Sequence, residues 1–202
     1  PGIVSCSHSF HGLSYGALSL MDDANFRSGF EPLLPGCTQI PFNDLAALEQ
    51  ALSSRQVAAF IVEPIQGKGV NLPTDEFLPG AAALCKKYGT IFIADEIQTG
   101  VGRTGKFLAV EHWNVEPEIM TMAKGIANGM PLSATICTTE IADALQSLTI
   151  STFGGNPISA TAGIATIDVI EKRDLRANAT KVGGLLREGL LGLQKKYPRI
   201  IG

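Results

Sequence analysis

The feature that most constrains the fold of this chain is the alternation of short apolar runs with longer segments of helical period. Such alternation is typical of βαβ units, and runs this brief and apolar suit strands that are buried on both faces. The sequence therefore predicts an α/β fold, a mostly parallel sheet with helices on both faces. Glycines within the last predicted helix disfavour its continuity. The predicted strands are Ile3 to Ser7, Ala58 to Val62, Thr90 to Ala94, Ile119 to Ala123 and Leu132 to Thr138, and the predicted helices are Asp75 to Tyr88, Glu140 to Leu148, Asn156 to Lys172 and Asp174 to Lys196.

Composition and charge exclude several classes of protein. The 202 residues are 45% hydrophobic, enough for a sizeable core, and no repeat or linker divides them. No stretch approaches the ~20 apolar residues that cross a bilayer, and no secretion signal opens the chain. The net charge of −3, without clustered Lys and Arg, disfavours nucleic acid as a partner. The four scattered cysteines are interpreted as reduced thiols without a metal, so we expect a cytoplasmic protein by default, with the mitochondrial matrix as the alternative.

Three of the predicted strands end in residues that could carry chemistry. Glu63 follows the second strand, Asp95 the third and Lys124 the fourth. Because the carboxyl ends of parallel strands share one edge, where such sheets bind their ligands, we expect these side chains to converge. In such places a Lys is more often a surface charge, and an Asp more often a turn former. The functional alternative is a partly desolvated Lys124 that forms a Schiff base, and an Asp95 that pairs with a buried cation.

A pyridoxal phosphate (PLP) site uses a lysine to form a Schiff base with the cofactor and an aspartate to pair with its pyridinium nitrogen. The functional alternative for Lys124 and Asp95 matches these two roles. Five stretches of the sequence point the same way: Phe10-His11-Gly12 with Gly16 to Ser19, Glu63 to Gly67, Asp95 to Gly105, Met122 to Gly125, and Ser151 to Pro157. In residues and order, the chain resembles the class III (ω-amino acid) aminotransferases of PLP fold type I across essentially its whole length. Putrescine, 4-aminobutyrate, acetylornithine and alanine–glyoxylate aminotransferases are the similar members.

The resemblance implies a role for each of these residues. Lys124 would bind PLP as a Schiff base and move the proton of the reaction, and Asp95 would keep the ring nitrogen protonated. Gln98 resembles the residue that donates to the phenolic oxygen of the cofactor. Phe10 resembles the aromatic residue stacked on the ring, with His11 beside it.

Two further residues are implied by the resemblance alone. Thr152 resembles the residue that binds the cofactor phosphate of the neighbouring subunit, which implies a homodimer with shared active sites. Glu63 resembles the glutamate near the amino end of the substrate, where it can engage an arginine. Each also has an ordinary interpretation, since a Thr before Phe-Gly-Gly can cap a helix and a Glu before a Pro can end a strand.

The sequence departs from the family in the loop after Gly67. Many members continue there with Glu-Gly-Gly or Glu-Ala-Gly, whereas this chain has Lys68-Gly69-Val70, apparently one residue shorter and without an acid. In some relatives that Glu pairs with the Arg that receives a substrate carboxylate. Its absence weakens an assignment to an ornithine-like or acetylornithine-like substrate.

The expected reaction moves an amino group from an ω-amino acid, a diamine or an alanine-like donor to a 2-oxo acid, pyruvate or 2-oxoglutarate, in a ping-pong cycle. One alternative is an aminomutase or racemase of the same fold. Another is a non-catalytic fragment that serves only folding or association.

The resemblance also implies how the chain is organised. Residues 1–202 would be most of the large PLP-binding domain, truncated at both ends. The phosphate-binding loop would precede them and the small domain would follow, so the isolated chain is expected to bind PLP poorly.

Overall fold

A six-stranded sheet runs through the centre of the fold. The computed structural model describes residues 1–199; the last three residues of the predicted domain lie outside the described residues. The strands are β1 Gly2–Cys6, β2 Cys37–Ile40, β3 Val57–Val62, β4 Ile91–Asp95, β5 Ile119–Met122 and β6 Ala134–Cys137, and the helices are α1 Tyr15–Ser19, α2 Ala24–Arg27, α3 Leu45–Leu52, α4 Phe77–Tyr88, α5 Thr139–Asp143, α6 Pro157–Lys172 and α7 Leu175–Lys196, with 3-10 helices at Ala109–Trp113 and Lys124–Ala127.

The strand order is β2-β1-β3-β4-β5-β6. All neighbouring pairs are parallel except β5 with β6, which is antiparallel. The predicted α/β class with a mostly parallel sheet is thus confirmed. β6 runs in the opposite direction because no crossover helix separates it from β5. The chain instead turns back after the 3-10 helix Lys124–Ala127, through Asn128 and Gly129, both at positive φ.

The sheet is covered on both of its faces, as the alternation of side chains along β1 illustrates. Val4 and Cys6 lie in the main core, where β3 and β4 contribute Phe60 and Phe92 and helices α3 and α4 close the layer. Ser5, on the opposite face, donates through Oγ to the carbonyl oxygen of Leu20, just after α1, at 2.5 Å. Successive strand residues point to opposite faces, so this contact places the segment around α1 on the second face.

Several elements were not predicted from the sequence. The edge strand β2 is short and only partly buried, so it lacks the apolar run by which the other strands were found. For helix α3 the sequence does contain a start signal, the N-cap residue Asp44. Its carboxylate accepts from the backbone N–H of Ala47 at 2.8 Å. Helices α1 and α2 have five and four residues, too few for a recognisable helical period.

Two predicted helices differ in extent or continuity. The helix predicted for Glu140 to Leu148 ends at Asp143, because α5 buries no residue and the β-branched Thr149 and Ile150 follow soon after. Helix α7, in contrast, is continuous over 22 residues despite its glycines. Asp174 caps its first turn by accepting from the backbone N–H of Ala177, and Lys195 and Lys196 favour its carboxyl end.

All four cysteines are free thiols, and two of them, Cys6 and Cys85, are buried. Burial, with a smaller contribution from Glu118, raises the pKa of the Cys85 thiol to about 12, and burial likewise raises that of Cys6. No helix within residues 1–199 has both the length and the apolarity that crossing a membrane requires.

Candidate active site

The carboxyl ends of the parallel strands form one edge of the sheet, and side chains from that edge line a cavity of about 340 Å³. Its wall contains six of the seven residues predicted for the site, and Thr152 is the exception. The predicted convergence of the strand ends is therefore observed. The six residues are Phe10, His11, Glu63, Asp95, Gln98 and Lys124.

Asp95, the last residue of β4, is a buried carboxylate with three hydrogen-bond donors. Its Oδ2 accepts from Nδ1 of His11 at 2.7 Å, and its Oδ1 accepts from Oγ1 of Thr121 at 3.2 Å and from the backbone N–H of Ile97 at 3.1 Å. A buried carboxylate needs such donors to offset its lost hydration. The strand end thus presents a carboxylate that is fixed in position.

His11 has one buried nitrogen without a partner. Its side chain is 1% exposed and Nδ1 donates to Asp95, while Nε2 has no hydrogen-bond partner within residues 1–199. Buried polar atoms are nearly always paired. An unpaired nitrogen in a cavity wall indicates a place where a bound group completes the hydrogen bonding.

Lys124 lies where the chain turns at the end of β5, with a backbone φ of +48° that is strained for a residue with a side chain. Its Nζ donates to Oε1 of Gln98 at 2.8 Å. Both side chains are exposed at the rim of the cavity, so the described residues do not provide the desolvation expected for Lys124.

Gly67 makes room for Gln98 beside Lys124. A Cβ atom at Gly67 would lie 2.8 Å from Nε2 of Gln98, closer than Cβ contacts allow. A side chain at this position would therefore force the amide end of Gln98 to shift.

Glu63 joins two loops of the cavity wall. Its Oε2 accepts from the backbone N–H of Phe10 and its Oε1 from that of Gly67, both at 3.0 Å. Burial raises the pKa of this carboxyl group, although both hydrogen bonds oppose the shift. Each oxygen has a backbone donor, and the role of Glu63 toward a substrate stays a prediction.

Three residues of the site were missed by sequence reasoning. Thr121 orients Asp95 but lies inside a strand, where its type is unremarkable. Phe26 and Lys68 both line the cavity. The Phe26 ring meets Phe10 edge to face, with centroids 5.4 Å apart, and only the three-dimensional course of the chain brings them together.

A second, larger cavity of about 1090 Å³ adjoins the first and shares Gly67, Ile97, Gln98 and Lys124 with it. It extends along α6 to the start of α7 and contains neither Asp95 nor His11. Of these two cavities, the smaller one has both the carboxylate of Asp95 and the amine of Lys124 in its wall.

Comparison with known proteins identifies the family. The sequence profile described as Aminotransferase class-III matches residues 1–202, the entire chain. The chain belongs to the class III aminotransferases. The resemblance found in the motifs is thereby confirmed.

Solved structures of class III and other transaminases agree with the fold. An ornithine aminotransferase from Toxoplasma gondii ME49 matches with a TM-score of 0.90 and 36% identity, over 94% of this chain and 46% of its own. A transaminase from the marine bacterium Virgibacillus matches with a TM-score of 0.91 and 29% identity, over 96% and 48%. An amine transaminase from an uncultivated Pseudomonas species, in its PLP-bound form, matches with a TM-score of 0.86 and 31% identity, over 98% and 51%. The chain spans about half the length of these relatives.

Class III aminotransferases are PLP-dependent, and the cavity has groups suited to that cofactor. Lys124 offers a primary amine, Asp95 a buried carboxylate and Phe10 an aromatic ring, while Nε2 of His11 is an unpaired buried atom. An amine can react with the aldehyde of PLP, and a carboxylate can pair with its protonated ring nitrogen. An aromatic side chain can stack on the flat ring of the cofactor. The residues present therefore fit PLP.

Thr152 lies apart from the cavity, exposed in the segment before α6. Around it, Leu148, Ile150 and Phe153 are 97%, 90% and 80% exposed. Within this one chain Thr152 does not contribute to the site, so its predicted role depends on a second subunit.

Proposed function

We propose that this chain is the cofactor-binding large domain of an aminotransferase that carries an amino group, by way of PLP, from a donor to a 2-oxo acid. The donor is an ω-amino acid, a diamine or an alanine-like amine, and the acceptor is pyruvate or 2-oxoglutarate. The observation that carries this proposal is the amine of Lys124 and the fixed carboxylate of Asp95 in the wall of one cavity. The cycle is ping-pong, because the same site serves donor and acceptor in turn.

PLP, when bound, supplies an aldehyde that takes up amino groups and a ring that withdraws electrons from the reacting carbon. Asp95 presents its negative charge to the ring nitrogen and keeps it protonated. His11 and Thr121 hold the carboxylate in one orientation through their hydrogen bonds to its two oxygens. The charge is thus positioned before the cofactor arrives.

Lys124 would bind the cofactor through its amine, and the same amine would take and return a proton at the reacting carbon. Gln98 orients it, since Oε1 accepts from Nζ at 2.8 Å, while the amide NH₂ has no partner within residues 1–199 and can donate to the cofactor. Phe10 covers a face of the ring and excludes water from the reacting carbon.

The active form is a homodimer in which Thr152 of each subunit binds the cofactor phosphate of the other. The exposed apolar residues around Thr152 support an interface, because monomeric proteins rarely leave such a patch uncovered. Light scattering should give the mass of a dimer, and Thr152→Ala should weaken PLP binding while leaving the dimer intact. A monomer that retains full PLP affinity would rule out the shared site.

We also propose a cytoplasmic location, with the mitochondrial matrix as the alternative. Four free thiols support a reducing compartment. Cell fractionation with an antibody to the chain tests this assignment.

Separate half-reactions test the function in the enzyme that contains this chain. With PLP bound and donor alone, each site should release one carbonyl product and retain the amino group; a 2-oxo acid should then leave as an amino acid. Lys124→Ala should lose both half-reactions, whereas Lys86→Ala, on the exposed side of α4, should keep them. Rearrangement or racemisation of the donor without consumption of a 2-oxo acid would support the mutase or racemase alternative instead.

A further inference from the structure

One cation in the cavity wall is not used by the proposed chemistry. Among the ionisable side chains there, Asp95 and His11 are hydrogen-bonded to each other, and Glu63 accepts from two backbone N–H groups. Lys124 is the residue proposed to bind the cofactor. The cation that remains is Lys68, in the loop between Gln66 and Asn71.

The loop that carries Lys68 is fixed to the rest of the fold. Gln66 is almost fully buried and donates through Nε2 to the carbonyl oxygen of Ser7 at 2.8 Å. Asn71 closes the loop, since its carbonyl oxygen accepts from the backbone N–H of Gln66 at 3.0 Å and its Nδ2 donates to Oε1 of Gln66 at 2.8 Å. The backbone at Lys68 is therefore held in place while its side chain is 46% exposed.

The ammonium group of Lys68 belongs to a side chain that lines the cavity. It forms an ion pair with Asp23 and lies 5.9 Å from the centroid of the Phe26 ring. Phe26 in turn packs against Phe10, the residue proposed to cover the cofactor ring. The hydrogen bond from Lys68 holds the pKa of Asp23 below its ordinary value.

The ammonium group of Lys68 can take a second partner. The side chain of Lys68 is 46% exposed, whereas that of Asp23 is 12% exposed, so the lysine side of the ion pair is open to a further acceptor. A lysine ammonium also has three donors and can contact two acceptors at once. A carboxylate that enters the cavity can thus compete with Asp23 or join it.

We propose that Lys68 determines substrate specificity by binding the carboxylate of the amino donor, at the end remote from the reacting amine. The enzyme then prefers ω-amino acids to diamines and simple amines. This inference rests on the proposed aminotransferase function, which left the donor open. The other anion that could reach this position is the phosphate of the cofactor, and the test below separates the two.

The test compares charge variants of Lys68 in the PLP-loaded enzyme that contains this chain. The donors are ω-amino acids of three to six carbons, each paired with the monoamine of equal length that lacks the carboxylate. Lys68→Met should raise KM for the best ω-amino acid about tenfold, the loss expected for one charge-assisted hydrogen bond at a partly exposed site, with little change for its monoamine. Lys68→Arg should restore much of the preference, and Lys86→Met should have no effect.

Asp23→Asn distinguishes a substrate-binding role from a structural one. An Asn side chain can still cap α2, but it has no negative charge to compete with the substrate carboxylate for Lys68. KM for ω-amino acids should therefore fall. If the ion pair only stabilises the loop, Lys68→Met and Asp23→Asn should change KM in the same direction, and the proposal is then wrong.

A binding measurement supplies a readout that needs no turnover. Calorimetry with pentanoate, which has a carboxylate and no amine, should show about tenfold weaker binding to Lys68→Met than to the original enzyme, with unchanged affinity for PLP. Loss of PLP affinity instead would assign Lys68 to the phosphate and overturn the proposal. Failure of every donor to react would count against the aminotransferase function, whereas reaction without any effect of Lys68 on carboxylate donors or pentanoate would count against this inference alone.

Discussion

The sheet region, residues 2–137, and the helical region, residues 139–199, bury their apolar side chains to very different degrees. In the sheet region Leu48, Phe60 and Phe92 are at most 1% exposed. Helix α7 has no buried residue at all, and its Leu185 and Leu186 are 62% and 63% exposed. All predicted site residues except Thr152 lie in the first region. The comparison shows that the candidate site is built on the part of the chain that holds its own core.

A matched pair of leucine substitutions tests this difference most strongly. Leu48→Ala should lower the free energy of unfolding by about 2–5 kcal/mol, because it leaves a cavity in the core. Leu190→Ala, at a residue 46% exposed on α7, should lower it by less than about 0.5 kcal/mol. Urea denaturation of the 202-residue chain measures both. Similar losses would mean that the apolar face of α7 is covered in solution.

Removing one carboxylate from each region should show which region carries the catalytic function. Asp95→Asn should reduce kcat on the order of 100- to 1000-fold, because the fixed charge at the ring nitrogen is lost. Asp168→Asn breaks only the exposed ion pair with Lys172 on α6 and should leave kcat unchanged. Steady-state kinetics of the PLP-loaded enzyme decides, and equal effects of the two changes would contradict the role of Asp95.

One glycine-to-alanine change in each region is expected to lower kcat in the sheet region and to raise stability in the helical region. Gly67→Ala should lower kcat about 10- to 100-fold, because the new Cβ forces the amide end of Gln98 beside Lys124 to shift. Gly184→Ala has open space around it and should stabilise the helix by about 0.4–1 kcal/mol. An active Gly67→Ala enzyme would show that Gln98 is not needed to orient Lys124.

The smallest effect concerns the titration of Glu63. Because burial raises its pKa in the folded chain, the folded state binds this proton more tightly than the unfolded state. The free energy of unfolding should therefore fall as pH rises from the ordinary glutamate value through the raised one. Glu63→Gln should remove that slope while losing one hydrogen bond to a backbone N–H. Denaturation curves across this pH range would contradict the assignment if the variant kept the slope.

The strand ends of the site could be predicted because buried parallel strands have a strong sequence signal. Glu63, Asp95 and Lys124 each follow an apolar run, and parallel pairing brings such positions to one edge. The direction of β6 could not be predicted, since it depends on the turn at Asn128 and Gly129 rather than on the pattern of the strand itself.

The part of the cavity wall formed by Phe26 and Lys68 could not be predicted from the sequence. Phe26 lies in a helix of four residues, in a stretch without periodicity, so nothing in the sequence places its ring against Phe10. The ion pair of Lys68 with Asp23 joins residues 45 positions apart on two loops. Contacts of this kind follow from the path of the loops, which no local pattern determines.

The most direct test of this active site is to trap the cofactor on its lysine. The enzyme that contains this chain is incubated with PLP, reduced with borohydride and digested, and the peptides are mapped by mass spectrometry. We expect a pyridoxyl group on Lys124, no label there in Lys124→Ala, and no loss of label in Lys86→Ala. A label on another lysine, or none on Lys124 in a protein that transaminates, would contradict the assignment of this strand edge as the active site.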